Sequence, residues 1–214
     1  MKRLISVIAL AFAAVLALSG CVSMNAGVSI QGDDKATGTV EVTMKKDALQ
    51  GLDFQDLLAT QVNMDQLNSQ LAGVWTTTDI DDGTNVGLAF TTAKTMTFTE
   101  LADAFTVFGF PVAISGNGQE FSFSMPGTGQ TAVDSSFTEA NFAVTFPGAI
   151  VSTTAGEVEH HTVTFDLIQG AETYQATGKA DFSLFYSTIF GGALLVLTLV
   201  FVLAFSPKAA KESH

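Results

Sequence analysis

The chain has 214 residues, of which 47% are hydrophobic and 14% charged, and its formal net charge is −12. Its only cysteine, Cys21, cannot form an internal disulfide. The acidic balance makes nucleic acid a poor partner, because phosphate backbones repel an acidic surface.

The N-terminus has the three parts of an export signal: a basic start, an apolar stretch from Leu4 to Leu18, and a small-residue exit. The exit, Leu-Ser-Gly-Cys at 18–21, resembles a lipobox, in which signal peptidase II cuts before the cysteine and the thiol receives a diacylglyceryl group. We predict that residues 1–20 are a cleaved signal and that Cys21 is lipidated. An ordinary signal peptide with a chance cysteine is the alternative.

Residues 21–182 are predicted to form one extracytoplasmic domain. From Val22 to Phe182 there are five basic and twenty acidic residues, a formal net charge of −15. In the first half of this domain, apolar and polar residues alternate from Val22 to Ile30 and again from Thr37 to Met44. The turn signals between these two segments predict a hairpin. From Asp47 to Ala72 the pattern becomes helical, with interruptions near Gly51 and Asn63, and predicts one broken helix or two short ones.

The rest of the domain is mostly strands. Trp75–Asp81 and Thr84–Ala93 read as paired strands, and Thr99 is predicted to cap a second helical segment. Further strands are predicted at 112–115, 120–125, 137–146, 150–153, 162–168 and 174–182. These elements favour an α+β fold, mainly an antiparallel β-sheet with two helical segments packed on one face.

A second anchor is predicted near the C-terminus. The uncharged run 184–205 would be about 33 Å long as a helix, which matches a hydrocarbon core of about 30 Å. We predict a transmembrane helix over 183–206 and a cytoplasmic tail over 207–214, whose Lys208 and Lys211 mark the inner side. Because alternation begins at Val22, directly after Cys21, and a second alternating segment from Tyr174 to Phe182 leads into the apolar run, we expect the first and last strands to meet the membrane near one another.

The layout resembles a known family. The lipobox runs into an alternating strand that ends at Gly32-Asp33-Asp34, the segment Thr145–Val151 (TFPGAIV) precedes a hairpin, and an apolar helix follows. The chain is similar to the LppM-type envelope lipoproteins of mycobacteria and related actinobacteria. The resemblance implies an extracytoplasmic α/β domain on the cytoplasmic membrane that contacts envelope lipids or glycolipids, and it implies no catalytic residues.

Residues that could carry catalysis are scarce. The sequence contains no Gly-x-Ser-x-Gly elbow, no HExxH and no phosphate loop, and we predict no cofactor. Glu157, Glu159, His160 and His161 are the best metal or acid/base candidates, but on a strand only Glu159 and His161 would share a face. We favour a solvated hairpin edge.

The acidic segment from Asp79 to Gly83 suggests a calcium loop at first sight. An EF-hand needs glycine at its sixth position and glutamate at its twelfth, and counting from Asp79 these positions hold Thr84 and Phe90. We therefore predict a hairpin turn.

Phenylalanine is unusually frequent in the domain. Core packing accounts for most of it, and an apolar groove between sheet and helices is the alternative. As candidate lipid-binding side chains we name Phe105, Phe108, Phe121, Phe123, Phe142 and Phe146. We predict a non-enzymatic envelope lipoprotein that binds or presents lipid or glycolipid, with a scaffold protein, or a hydrolase or metal-dependent enzyme using Glu159 and His161, as alternatives.

Overall fold

The computed structural model describes residues 22–32, 34–49, 51–61, 64–127 and 137–180. The predicted signal (1–20), Cys21, the membrane helix (183–206) and the tail (207–214) lie outside the described residues. Within the described ranges, no helix combines the length and the apolar character that crossing a bilayer requires.

Strands make up most of the described chain. They are β1 (Val22–Gly32), β2 (Lys35–Lys45), β3 (Trp75–Asp81), β4 (Asn85–Thr92), β5 (Ala113–Gly116), β6 (Glu120–Pro126), β7 (Phe137–Thr145), β8 (Ile150–Thr153), β9 (Glu157–Glu159), β10 (Thr162–Asp166) and β11 (Thr173–Lys179). The α-helices are α1 (Phe54–Gln61), α2 (Met64–Leu71) and α3 (Phe98–Phe105), and Lys46–Leu49 and Thr106–Phe108 are short 3-10 segments.

These strands form two sheets where a single sheet was predicted. The larger has seven strands in the order β3-β4-β2-β1-β7-β10-β9, and the smaller has four in the order β5-β6-β11-β8. The pair β1–β7 is parallel, and the other described pairs are antiparallel. The fold is therefore mainly β. The prediction missed the division because each strand has its own alternation, whereas its partner is chosen by tertiary packing.

The core lies on one face of the seven-stranded sheet. The four-stranded sheet covers β7 and β10, where the ring of Phe123 stacks on Phe142 at 5.3 Å and on Phe165 at 6.0 Å between centroids. Helix α3 covers β2, and its Phe105 ring lies against Gly38, where a Cβ would come within 2.7 Å of it. The predicted helical cover thus protects only part of the face, and the second sheet protects the rest.

Helical boundaries follow local signals. The segment 47–72 contains two short helices, and Gly51, at φ +89°, precedes the first; Asn63 lies outside the described residues. Helix α3 begins after Thr97, whose Oγ1 accepts from the Glu100 N–H, while a Glu100 carboxylate oxygen accepts from the Thr97 N–H. The prediction of Thr99 as the cap is wrong, because Thr97, unlike Thr99, has a glutamate three residues on.

The two ends of the domain lie at opposite ends of β1. Val22 pairs with Met44 and Phe137, whereas Ser29 pairs with Thr145 at the far end of β7. Ala180 belongs to that far end, because a Cβ at Gly148, three residues beyond Thr145, would lie 3.0 Å from the Ala180 carbonyl. The expectation that the first and last strands meet the membrane near one another is therefore wrong, because their ends, Val22 and Ala180, lie apart. It failed because alternation gives no strand direction.

Candidate functional site

The six phenylalanines proposed as lipid contacts lie together in the core. Five of them are at most 2% exposed, namely Phe105, Phe121, Phe123, Phe142 and Phe146. Phe108 is half-buried against Trp75 and Phe90, with centroid distances of 5.0 and 5.1 Å. Five of the six side chains are therefore closed off from solvent. Lipid contact by this set stays a prediction.

A cleft opens at the edge of the seven-stranded sheet, where the segment 46–55 lies beside the β3–β4 hairpin. We call it the Leu52 cleft; its volume is about 430 Å³, within the range of small-molecule sites. Leu52 itself is 59% exposed. The cleft is lined by Lys46, Leu49, Gly51, Leu52, Asp53, Phe54, Gln55, Asp79, Ile80, Asp81, Val86 and Gly87.

Polar contacts hold the two walls of the Leu52 cleft together. Gln55 Nε2 donates to Asp79 Oδ1 at 2.9 Å, and Lys46 Nζ lies 2.6 Å from Asp81 Oδ1. Helix α1 starts there because Asp53 Oδ1 accepts from the Gln55 N–H at 2.8 Å, which caps its first turn. The hydrogen bond from Lys46, followed by that from the Gly83 N–H, lowers the pKa of Asp81. The rim is thus ionic and polar above an apolar floor.

The floor of the Leu52 cleft is continuous with a small hydrophobic cluster at the start of β1. Val22, Met44, Leu49 and Val86 form this cluster, and Phe54 packs against it. Leu49 and Val86 also line the cleft. The cleft therefore lies at the end of the domain from which the predicted lipidation site, one residue before Val22, extends.

A second cleft lies at the other end of β3. This Trp75 cleft has a volume of about 370 Å³ and is lined by Gln70, Gly73, Val74, Trp75, Lys94, Met96, Glu100, Asp103, Ala104 and Val107. Trp75 is 5% exposed, and its Nε1 is buried with no hydrogen-bond partner among the described residues. Its apolar wall and charged rim resemble those of the Leu52 cleft, but it is distant from Val22.

The acidic segment is a turn, as predicted. Asp82 Oδ1 accepts from the Thr84 N–H at 2.8 Å and from the Asn85 N–H at 2.6 Å, and Gly83 has φ +87°. The bonds from Asn85 and Thr84 lower the pKa of Asp82 to about 2. The carboxylate is thus used to hold the turn.

The other candidate group, made of Glu157, Glu159, His160 and His161, is exposed to solvent. Strand β9 ends at Glu159, and His160 and His161 form the turn to β10, so the expected sharing of a strand face by Glu159 and His161 does not arise. Glu159 Oε1 lies 3.9 Å from His160 Nδ1, and both side chains are over 80% exposed. In the described part of the chain, no three His, Cys, Asp or Glu residues are grouped as a metal site requires.

Sequence reasoning did not find either cleft. The exposed Leu52, beside Gly51 and directly before the Asp53 cap, was a local signal for an apolar residue at a helix entrance. The opposite wall comes from β3 and β4, and only tertiary structure brings it there.

Comparisons with known proteins agree with this architecture. The family model described as LppM domain matches residues 23–180. The solution NMR structure of the folded domain of the Mycobacterium tuberculosis LppM protein is similar to this chain, with a TM-score of 0.51 and 20% identity over 75% of this chain and 91% of that one. No curated protein matches the sequence.

Proposed function

The chain belongs to the LppM domain family, and from that premise we propose that it is an envelope lipoprotein whose extracytoplasmic domain binds a lipid or glycolipid in the Leu52 cleft. Cys21 acylation and the 184–205 helix hold it to the membrane in this proposal. Its domain acts by binding and presenting the lipid, without catalysis.

The observation that carries the proposal is the position of the Leu52 cleft. Its floor shares Leu49 and Val86 with the cluster around Val22, which is bonded directly to Cys21. A lipidated Cys21 keeps that end of the domain at the bilayer interface. The cleft opening is then within reach of acyl chains, and the exposed Leu52 gains apolar contact when a chain enters.

Both parts of an amphipathic ligand find matching groups in the cleft. Leu52, which is 59% exposed, and the half-buried Phe54 offer apolar surface, which favours burial of an acyl chain at roughly 25 cal/mol per Å² removed from water. The rim offers donors and acceptors, among them Gln55 and Asp79, to the hydroxyl groups of a sugar or glycerol headgroup.

Native mass spectrometry tests the proposal. The protein is purified from its own membrane, and its domain is released by engineered cleavage after Cys21 and after Phe182. We expect a retained lipid of defined mass in the wild type. We expect Leu52→Asp to lose it, because an acyl chain in the cleft would have to displace water from the carboxylate, which costs free energy. Val158→Asp is the matched control, since Val158 is 48% exposed on β9, outside the cleft.

An unliganded wild-type domain that also fails to take up added envelope lipids would overturn the proposal. That outcome favours the scaffold alternative, in which the acidic surface holds another envelope component. The burial of five of the six phenylalanines fits that alternative as well. A defined partner that rebinds the purified domain would then establish it.

A further inference from the structure

We propose that the free edge of β3 is a docking site, which takes an extended, basic segment of a partner protein as an added strand of the seven-stranded sheet. The inference uses β3, β4 and the side chains packed beside them. It depends neither on membrane anchoring nor on a ligand in the Leu52 cleft.

The hydrogen bonds of β3 to β4 leave its other side turned outward. The two strands are antiparallel, and just before β3 begins the Ala93 N–H donates to the Val74 carbonyl. Bonded pairs recur at every second residue of an antiparallel ladder, so Thr76 and Thr78 direct their backbone groups toward β4. The N–H and C=O groups of Thr77, which lies between them, therefore point to the free edge of the sheet.

This edge is long, regular and exposed. β3 has seven residues without proline, and its register with β4 is unbroken, whereas β9 at the opposite edge has three residues. The four residues from Thr76 to Asp79 are exposed, although they point alternately to the two faces. Among the described residues, none donates to or accepts from the outward groups of Thr77. Such an edge is a template for a further strand.

A carboxylate without an ionic partner lies beside this edge. Trp75 is buried, so Asp79 and Asp81, which follow it at every second residue, lie on the same side of the strand. Asp81 pairs with Lys46 at 2.6 Å, whereas Asp79, in the described structure, accepts only from the uncharged amide of Gln55. A lysine or arginine on an added strand, facing this side, comes within reach of Asp79.

The charge of the domain selects the occupant. A net charge of −15 repels a second copy of the chain and any acidic segment, and it attracts a basic one. A carboxylate on an edge strand also opposes pairing of that strand with its own copy. On the other face, Thr76 and Thr78 offer uncharged side chains that suit β-branched neighbours. The segment that fits therefore alternates basic residues with β-branched ones, and its main chain bonds to β3.

Hydrogen–deuterium exchange with a synthetic peptide tests the proposal. The full chain in uncharged detergent is mixed with a fluorescent peptide that alternates lysine with threonine or valine over the length of β3, and anisotropy measures binding. We expect the β3 amides to exchange at least about tenfold more slowly at saturation, because the added strand accepts their hydrogen bonds. Two control peptides carry glutamate in place of lysine, or keep the lysines and carry N-methyl groups on the bonding amides. Neither should protect β3.

The N-methylated peptide distinguishes strand addition from simple attraction between opposite charges. Equal binding of the methylated and unmethylated peptides overturns the proposal, because charge alone then explains the affinity. Binding of the unmethylated peptide that leaves exchange in β3 unchanged overturns it as well, and so does the absence of binding.

Variants of the chain separate the backbone from the side chains. Thr77→Pro removes the outward N–H but no bond to β4, and should weaken binding at least about fivefold, whereas Thr77→Val keeps the N–H and should bind like the wild type. Asp79→Asn keeps an acceptor for Gln55 and should weaken binding about two- to fivefold.

Exchange in β4 checks that each variant keeps the sheet. Wild-type affinity in Thr77→Pro, with β4 still protected, overturns the proposal. If Thr77→Pro disturbs β4, the N-methylated peptide decides the question without any change to the protein.

Discussion

At the scale of single residues, the packing of α3 on the sheet depends on the missing side chain of Gly38. The Gly38 N–H donates to the buried Thr92 Oγ1 at 3.1 Å, which ties this part of β2 to the end of β4. A Cβ here would lie 2.7 and 2.9 Å from two atoms of the Phe105 ring and 3.1 Å from Leu101 Cδ1. Glycine therefore sets the distance between the helix and β2.

Gly38→Ala is expected to reduce the free energy of unfolding by about 1–3 kcal/mol, because overpacking forces the Phe105 ring out of its position. Urea unfolding of the full chain in detergent measures it through the fluorescence of Trp75, the only tryptophan. The exposed Thr39→Ala is the control. Phe105→Leu should reduce the free energy of unfolding by less in the Gly38→Ala variant than in the wild type. Equal reductions in the two backgrounds would contradict the steric explanation.

At the scale of elements, helix α3 depends on its capping box. Thr97→Ala is expected to cost about 1 kcal/mol, because the Glu100 N–H loses its acceptor. Thr99→Ala, two residues on and exposed, is expected to stay within about 0.5 kcal/mol. The same urea titration measures both. Equal losses in the two variants would show that Thr97 does not cap the helix.

The β3–β4 turn gives a prediction about pH. The pKa of Asp82 is lowered from 3.8 to about 2 in the folded state. A carboxylate whose folded pKa is depressed stabilises the fold above its unfolded pKa, and this contribution is lost as pH falls through the folded pKa. The difference in unfolding midpoint between wild type and Asp82→Ala should therefore be constant above about pH 5 and shrink as the pH falls toward 2. A difference that persists at pH 2 would contradict it.

At the scale of the whole molecule, the protection of backbone amides from hydrogen exchange should depend on where each strand lies in its sheet. β4 is bonded on both sides, by β2 and β3, whereas β3 is an edge strand of similar length. Hydrogen–deuterium exchange of the full chain, read by mass spectrometry, should show slower exchange in β4 and β1 than in β3, and fast exchange in the short edge strand β9. Exchange in β3 as slow as in β4 would mean that a further strand or partner covers that edge.

The sequence by itself determined most of the elements, because local patterns carry the information; the short strand β9 was not predicted. Alternation identified Trp75–Asp81 as a strand, the Asn117-Gly118 pair identified the β5–β6 hairpin, and the helical period from Asp47 identified α1 and α2. The lipobox and the apolar run 184–205 are read from sequence alone, as is the similarity to the LppM family that the match over 23–180 confirms.

Tertiary structure alone decided how these elements meet. Alternation shows which side chains are apolar, but not which strand is a neighbour, so the second sheet and the parallel β1–β7 pair could not be predicted. For the same reason Phe142 was ambiguous between core and groove until Phe105 and Phe123 were seen to close around it. The Leu52 cleft and the opposite positions of Val22 and Ala180 depend on segments far apart in sequence, whose contacts arise only when the core is packed.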